Sequence, residues 1–444
     1  MFERVAIIWL RDWKNREDRK PLVVRGARQV GKTSLIQNFG KEFDHFLSFN
    51  LENPNDLSLF SSEMPVKELF SLMLSVRHVK NSGSILVFID EIQNSKFAIK
   101  VLRYFYEELP QIHVIAAGSL LETMLNKQVS FPVGRVEYMA LRPCTFVEFL
   151  GAIGEKNLAE MVTAMAVPEV LHDRMMSLFN KYTLIGGMPE VVANYAKHGD
   201  VVALDRIYQT LLAGYMDDIE KYKQGESTRN VLRFIMQKGW QSAASRIVFE
   251  RFGNSNYKSR EIGEAMRTLQ KAMLVELVYP TTETTIPFAE DLRKRPKLMW
   301  LDTGLVNYAA GVQSELFGKS DIADAWRGGI AEHIVGQELI GQSNSFLEHR
   351  SFWVREEKNS QAEVDFLYKT RYGTVPIEVK AGHNAHLKSL QLFMQKTSCR
   401  SAVRFWCKPS ATDTIELPDG KKFTLHNLPY YYSGQLGANW EKVK

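Results

Sequence analysis

The sequence predicts an α/β protein built from several domains, because strand-like and helical patterns alternate early in the chain and separate later. Within residues 1–150, short apolar runs alternate with amphipathic stretches, the pattern of a parallel sheet covered by helices. The predicted strands are 21–25, 45–51, 84–90 and 112–117, and the predicted helices include 64–77 and 95–109. Residues 155–225 lose the strand pattern and are predicted to be helical, whereas strands dominate again from 350 to 430.

Composition indicates an ordinary globular protein. The 444 residues are 45% hydrophobic and 24% charged, and no apolar run is long enough to cross a membrane. The formal net charge is +5, which permits an acidic partner such as nucleic acid without requiring one. Cys144, Cys399 and Cys407 form no C-x-x-C pair, which is typical of a reducing compartment. We therefore expect a cytoplasmic protein without a signal peptide and without a membrane partner.

Residues 26–33 read Gly-Ala-Arg-Gln-Val-Gly-Lys-Thr and match the phosphate-binding pattern G-x-x-x-x-G-K-[ST]. An apolar run precedes this segment and a helical stretch follows it, so the loop would present phosphate to a helix N-terminus. Lys32 can reach the β- and γ-phosphates of a nucleotide, and the Thr33 hydroxyl can bind Mg²⁺. The residues expected to bind ATP are Gly26, Ala27, Arg28, Gln29, Val30, Gly31, Lys32, Thr33 and Ser34.

An acidic pair ends the apolar strand predicted at 84–90. Asp90 lies at the carboxyl end of this strand, where open α/β sheets bind ligands, and is expected to hold Mg²⁺. Glu91 comes next and is expected to polarise the water that attacks the γ-phosphate. Alternatively, the two acids only cap the helix predicted at 95–109.

Two further residues are candidates for contact with the γ-phosphate. Ser119 follows the strand predicted at 112–117 and either senses the phosphate or caps the next helix. Arg135 follows Gly134 in a loop and is either an arginine finger or one half of a surface ion pair. The sequence leaves both alternatives open.

With these motifs, residues 1–150 resemble the AAA+-like P-loop ATPases of bacteria and archaea. The segments 134–137, 141–143 and 146–150 resemble the end of the ATPase module in a prokaryotic family of two-part proteins. Gly186-Gly187-Met188-Pro189-Glu190 also resembles that family. The resemblance implies an ATPase module followed by a C-terminal domain, and it allows a homo-oligomer because AAA+ relatives often form rings.

A second group of charged residues lies between 332 and 380. Glu332 lies on a predicted helix, and Asp365 lies near the end of a predicted strand. Glu378 and Lys380 are two residues apart on the next strand, so both point to one face. A turn at 371–373 can pair the two strands as a hairpin, which would bring Asp365 near Glu378. Two carboxylates can bind a divalent metal, and a lysine beside them can orient water.

This order of residues resembles the PD-(D/E)xK nucleases of restriction-endonuclease-like fold. The resemblance implies a metal held by Glu332, Asp365 and Glu378, with Lys380 beside it, and cleavage of phosphodiester bonds. Alternatively, these are the ordinary charges of a solvated strand surface. A site that has lost its activity could still bind nucleic acid, since a fold does not guarantee its chemistry.

Residues 226–310 are predicted to form a winged-helix-like section, because three short helices precede a β-ribbon. The predicted helices are 229–238, 243–252 and 259–273, and the ribbon strands are 274–279 and 297–301. Basic residues that suit DNA phosphates are Lys258, Arg260, Arg267, Lys271, Arg293, Lys294, Arg295 and Lys297. The acids Glu261 and Glu264 on the third helix equally indicate a solvated face, and many winged helices bind proteins instead.

The chain therefore divides into four predicted parts. They are an AAA+-like ATPase module at 1–150, a helical linker at 151–225, the winged-helix-like section at 226–310 and a restriction-endonuclease-like domain at 311–444. We expect an Mg²⁺-dependent ATPase that acts on DNA through its nuclease-like domain. The alternative is a regulatory switch in which ATP gates a protein-binding surface and the C-terminal fold is inactive.

Overall fold

The first sheet is parallel throughout and carries the N-terminal part of the molecule. The computed structural model describes residues 2–118, 131–220, 225–313, 324–345, 350–357, 360–381 and 387–443. The five strands are β1 Leu22–Arg25, β2 His45–Asn50, β3 Ile85–Asp90, β4 His113–Gly118 and β5 Glu137–Ala140. They lie in the order β2-β3-β4-β1-β5. The four strands predicted in this region are confirmed, and β3 is buried over its whole length, as expected for a central parallel strand.

Helices cover both faces of this sheet. They are α1 Ala6–Asn15, α2 Lys32–Gly40, α3 Pro54–Ser58, α4 Val66–Val76 and α5 Lys96–Glu108. Successive residues of β1 point to opposite faces. Val24 packs in one apolar cluster with Ile36 of α2, and Val23 packs in the other with Leu102 of α5. The phosphate-binding segment therefore follows a strand that is fixed from both sides.

A helical section follows, as the loss of strand pattern predicted. It contains α6 Phe146–Ala152, α7 Lys156–Thr163, α8 His172–Ile185, α9 Pro189–His198, α10 Asp205–Glu220 and α11 Glu226–Lys238. The break between α8 and α9 is enforced by close backbone contact. Gly186 has φ of +72°, and a Cβ on Gly187 would lie 2.1 Å from the carbonyl oxygen of Cys144. The backbone N–H of Cys144 donates to the Gly187 carbonyl at 2.7 Å.

The section after α11 contains part of the predicted winged helix. The helix α12 Ser259–Lys271 is followed by β6 Val275–Val278, which pairs antiparallel with β8 Lys297–Trp300, as the ribbon prediction required. The predicted helix at 243–252 is wrong, because this segment forms turns and two isolated bridges to β8. Several of its backbone N–H groups bond outside the segment, for example Ala244 N–H to the Leu298 carbonyl at 2.8 Å.

The second large sheet has seven strands and mixed directions. Its remaining elements are β7 Pro280–Thr281, β9 Arg350–Glu357, β10 Ser360–Thr370, β11 Gly373–Val379, β12 Ser401–Trp406, β13 Ala411–Glu416 and β14 Lys422–Pro429, in the order β13-β14-β12-β11-β10-β9-β7. The helices α13 Thr303–Ala309, α14 Asp324–Gly341, α15 Lys388–Lys396 and α16 Leu436–Val443 accompany it. Since β7 pairs with β9, this sheet recruits a strand from the section predicted at 226–310.

The apolar core is continuous between the two sheets. A single cluster of buried side chains contains Ala6 of α1, Phe146 of α6, Leu298 of β8 and Trp440 of α16. The N-terminal sheet, the helical section and the C-terminal sheet thus share packing. Among the helices that the structure describes, none combines the length and apolar character needed to cross a bilayer.

Candidate nucleotide site and C-terminal carboxylate cluster

The loop between β1 and α2 has the local geometry that its sequence predicted. Gly31 precedes the helix with φ of +90°, a conformation that glycine adopts without strain. Its carbonyl accepts the first helical bond, from Leu35 N–H at 2.9 Å. The N-terminus of α2 therefore begins at Lys32 and points its free N–H groups toward the loop.

Lys32 is buried, yet its ammonium has only neutral partners in the loop. Its Nζ donates to the carbonyl oxygens of Gly26 at 2.9 Å and Ala27 at 2.8 Å. Burial lowers the pKa of Lys32 to about 8. Since no carboxylate forms a direct bond to this ammonium among the described residues, its charge remains available to an anionic ligand.

The phosphate-binding loop and β3 meet at one hydrogen bond. The Thr33 hydroxyl donates to Asp90 Oδ2 at 2.6 Å, and the N–H of Glu91 donates to Asp90 Oδ1 at 3.0 Å. Burial raises the pKa of Asp90. A hydroxyl oxygen and a carboxylate oxygen side by side are ligands that Mg²⁺ accepts together with water and phosphate oxygens. These two residues could therefore hold the metal that the sequence predicted.

Glu91 lies at the end of β3 in a left-handed backbone conformation, with φ of +50°. Its Oε2 accepts a hydrogen bond from the Gln93 amide at 2.5 Å, and burial raises its pKa. The cap of the next helix is a different residue, because Ser95 Oγ accepts from Ala98 N–H at 3.1 Å. The alternative that Asp90 and Glu91 merely cap α5 is thus wrong.

A cavity of about 460 Å³ opens beside these residues. Its wall combines the loop and the start of α2 with the segment before α1 and with α9, including Arg4, Pro189 and Glu190. Small-molecule sites commonly have volumes of roughly 300–1,000 Å³. The cavity therefore has room for a nucleotide-sized ligand in contact with Lys32 and Glu91.

Two arginines tie the loop to distant elements. Arg28 forms an ion pair with Asp218 of α10. Arg4 donates to the Val30 carbonyl at 3.0 Å and to Glu148 Oε1 at 2.9 Å. Sequence reasoning missed Arg4 and Asp218, because neither lies near the loop in the chain and no local pattern marks them.

The two candidates for γ-phosphate contact have different outcomes. Ser119 lies outside the described residues. Arg135 forms an ion pair with Glu107 of α5 at 2.8 Å, and its side chain is 42% exposed. Within one chain Arg135 therefore forms a surface ion pair, and its role as an arginine finger stays a prediction.

The predicted C-terminal residues converge at the β10–β11 hairpin. The register sets Phe366 opposite Ile377, so Asp365 lies opposite Glu378 one step further along. Asp365 Oδ2 accepts from Val379 N–H at 2.7 Å, and Lys380 Nζ lies 2.5 Å from Glu378 Oε1. Burial raises the pKa of Asp365 and Glu378. The hairpin and the shared face of Glu378 and Lys380 are therefore confirmed as geometry.

The group of carboxylates that could share one metal differs from the predicted set. Glu332, Glu363 and Asp365 can each place one oxygen within 4.8 Å of the others. Glu378 is not one of these three residues, but it lies opposite Asp365 on the neighbouring strand. Sequence reasoning missed Glu363, although its position two residues before Asp365 on one strand face was a signal for it.

Lys297 occupies the middle of this carboxylate cluster. Its Nζ lies 2.5 Å from Glu332 Oε1 and 2.6 Å from Glu363 Oε1, and its side chain is 1% exposed. The sequence prediction that Lys297 contacts DNA phosphates is wrong, because the ammonium is buried against carboxylates. Burial alone would lower the pKa of Lys297, but Glu332, Glu363 and Asp365 raise it.

Three family models match consecutive parts of the chain. Residues 18–150 match an AAA domain, a range that contains the phosphate-binding loop, Asp90 and Glu91. Residues 18–150 therefore have the sequence of an AAA-type P-loop domain, as their motifs predicted. Residues 176–316 match a domain of unknown function (DUF8612), and residues 327–430 match another (DUF4143). The restriction-endonuclease-like fold remains a prediction.

Similarities to solved structures are remote. A Walker-type ATPase of Pyrococcus abyssi is 15% identical, with a TM-score of 0.41 over 70% of this chain and 96% of that chain. PCH-2 of C. elegans is 11% identical, with a TM-score of 0.27 over 44% of this chain and 61% of that chain. No curated protein matches the chain. Such distant likenesses define neither a substrate nor an assembly.

Proposed function

We propose that this protein binds ATP at the loop 26–34 and hydrolyses it with Mg²⁺. The observation that carries the proposal is the 2.6 Å hydrogen bond between the Thr33 hydroxyl and Asp90, residues 57 positions apart. It joins the phosphate-binding loop to the acidic strand end beside the buried ammonium of Lys32. A loop match without this partner would predict phosphate binding only.

Each residue at the site has a role that its present contacts support. Lys32 would exchange its two carbonyl acceptors for phosphate oxygens, since charge-assisted hydrogen bonds are stronger than neutral ones. Thr33 and Asp90 would hold Mg²⁺, which when bound offsets the negative charge of the phosphates. The free N–H groups at the start of α2 would bind further phosphate oxygens.

Glu91 would act as the residue that orients and polarises the attacking water. It follows Asp90 in the chain and lies in the cavity wall with Lys32 and Thr33, and its raised pKa makes it a stronger base than an exposed glutamate. The hydrogen bond from Gln93 fixes the direction of its carboxylate. Glu91 is therefore placed to work on the water while Thr33 and Asp90 hold the metal.

Phosphate release by the purified protein with ATP and Mg²⁺ tests this proposal. Turnover that requires Mg²⁺ and disappears in Lys32→Ala supports it. Unchanged nucleotide affinity in a folded Lys32→Ala variant would refute the assignment of the loop. Omission of Mg²⁺, with chelator present, separates nucleotide binding from hydrolysis.

A second candidate function concerns the C-terminal domain and DNA. The observation in its favour is that Glu332, Asp365, Glu378 and Lys380 come from one helix and two strands and converge at one place. Cleavage of a plasmid with Mg²⁺ or Mn²⁺, with and without ATP, tests it against Asp365→Ala. Nicking that is lost in this variant would make the protein an ATP-coupled nuclease.

The alternative is an ATP-gated switch that binds a protein partner through an inactive nuclease-like fold. Lys297 favours it, because an ammonium already neutralises the carboxylates that a nuclease would use for metal. For the DNA proposal, the exposed cations Lys258, Arg260 and Lys271 on and before α12 remain candidates for phosphate contact. If they bind phosphates, DNA affinity should fall steeply with salt, whereas absent or salt-insensitive binding favours the switch.

A further inference from the structure

The carboxylate cluster of Glu332, Glu363 and Asp365 already holds a cation that belongs to the chain. Lys297 Nζ lies 2.5 Å from Glu332 and 2.6 Å from Glu363, with Asp365 Oδ1 at 3.9 Å. The ammonium therefore contacts two of the three carboxylates that could share one divalent metal, and it occupies the space between them. A metal and the Lys297 ammonium cannot share these oxygens, since both are positive and would be in contact.

The aromatic rings and the backbone carbonyl around Lys297 Nζ also stabilise a cation. The ring of Phe352 has its centroid 4.5 Å from Nζ, and that of Phe366 lies at 5.7 Å. Aromatic faces attract cations within roughly 6 Å. The backbone carbonyl of Asp365 accepts a further hydrogen bond from Nζ at 3.3 Å. Lys297 is thus held from several sides, with its stem fixed on β8.

A second observation, on Glu378 beside this group, indicates an excess of negative charge that would favour a metal once Lys297 is displaced. Glu378 is 3% exposed, and its Oε2 is buried without a hydrogen-bond partner among the described residues. Its other oxygen pairs with Lys380. Among the described residues, these four carboxylates pair with Lys297 and Lys380, and Arg246 Nη1 lies 3.9 Å from Glu363 while its Nη2 pairs with Glu356. Glu363 is 32% exposed, which leaves a path from solvent to the group.

We propose that Lys297 is a built-in cation that competes with a divalent metal for Glu332 and Glu363. While Lys297 remains in place, the cluster is closed to metal, and a metal binds only where the ammonium is displaced or removed. This inference concerns the site of the second candidate function and is independent of ATP hydrolysis.

Mn²⁺ titration of the full chain without nucleotide, followed by calorimetry and electron paramagnetic resonance, tests the proposal. Lys297→Met should bind Mn²⁺ roughly 10- to 100-fold more tightly than the unchanged protein, the range by which neighbouring groups alter metal affinity. Mn²⁺ should also raise the melting temperature of Lys297→Met more than that of the unchanged protein. Lys297→Arg, which keeps the charge, should show neither effect.

Two controls locate the effect. Lys294→Met removes a neighbouring lysine that pairs with Glu356 instead, and should leave Mn²⁺ affinity unchanged. Adding Asp365→Asn to Lys297→Met should abolish the gain. A folded Lys297→Met variant with unaltered Mn²⁺ affinity would overturn the proposal. If Lys297→Met does not fold, the unchanged protein still decides, because Mn²⁺ binding at micromolar concentration that depends on Asp365 would overturn it. Phosphate release is measured separately, so failure of the ATPase proposal remains distinguishable.

Discussion

Two buried lysines define the contrast between the two candidate sites. Lys32 bonds to neutral carbonyl oxygens of its own loop, whereas Lys297 bonds to carboxylates brought from α14 and β10. Their pKa values accordingly move in opposite directions, lowered to about 8 for Lys32 by burial and raised for Lys297 by its acidic partners. A buried ammonium with neutral partners attracts an anionic ligand, and one with acidic partners excludes a competing cation.

The largest expected effect is a fall in ATP turnover at the first site without a loss of ATP affinity. Glu91→Gln keeps the shape of the side chain and removes its basicity, so ATP turnover should fall roughly 10²- to 10⁴-fold while ATP affinity is retained. Phosphate release and nucleotide binding measure the two quantities. Glu68→Gln, which changes an exposed carboxylate on α4, is the matched control and should leave turnover unchanged. Normal turnover in Glu91→Gln would remove Glu91 from the mechanism.

The next largest effect is on the free energy of unfolding, which should differ between variants of the two lysines. Lys297→Met strands buried carboxylates without their cation and should lower the free energy of unfolding by about 3–5 kcal/mol. Lys32→Met removes hydrogen bonds to two carbonyls and one desolvated charge, so its cost should be about 1 kcal/mol. Urea denaturation of both variants measures the difference. Equal losses in the two variants would contradict the distinction between the two lysines.

Ligand affinity should depend on Lys32. Lys32→Ala removes charge-assisted hydrogen bonds that are each worth about 1.5–3 kcal/mol, so ATP affinity should fall at least roughly 10- to 100-fold. Titration with a fluorescent nucleotide measures it. Lys41→Ala, an exposed lysine just after α2, is the control and should bind ATP normally.

The pH dependence of ATP affinity sharpens the comparison further. Because the pKa of Lys32 is lowered to about 8, the free protein loses this charge as pH rises above 8. Phosphate binding requires the charged form, so ATP affinity should be constant well below pH 8 and fall by roughly tenfold per pH unit well above it. Nucleotide titrations from pH 6.5 to 9.5 test this. A flat profile would contradict this prediction. The same slope in Lys32→Ala would show that the titrating group is not Lys32.

The smallest effect concerns Arg135. Its ion pair with Glu107 is exposed, so Arg135→Ala should leave the free energy of unfolding nearly unchanged. Thermal unfolding measures this change, and phosphate release at several protein concentrations accompanies it. A large fall in turnover at unchanged stability would assign Arg135 to hydrolysis in a neighbouring copy.

The sequence predicted those features that short stretches of chain determine. The phosphate-binding loop, the strand that ends at Asp90 and the β10–β11 hairpin each follow from local patterns of apolar, glycine and charged residues. The predicted helix at 243–252 failed because its backbone bonds to residues 296 and 298, far along the chain. The ion pairs of Lys297 and Arg4 were not predicted for the same reason, since their partners Glu332 and Glu148 are neighbours only in the folded protein.

The most direct test of the ATPase assignment is phosphate release by the purified chain with ATP, compared across the unchanged protein, Lys32→Ala and Glu91→Gln. We predict Mg²⁺-dependent turnover in the unchanged protein, weakened ATP binding with loss of turnover in Lys32→Ala, and retained binding with strongly reduced turnover in Glu91→Gln. Turnover that survives Lys32→Ala, or a folded protein that binds no ATP, would contradict the account.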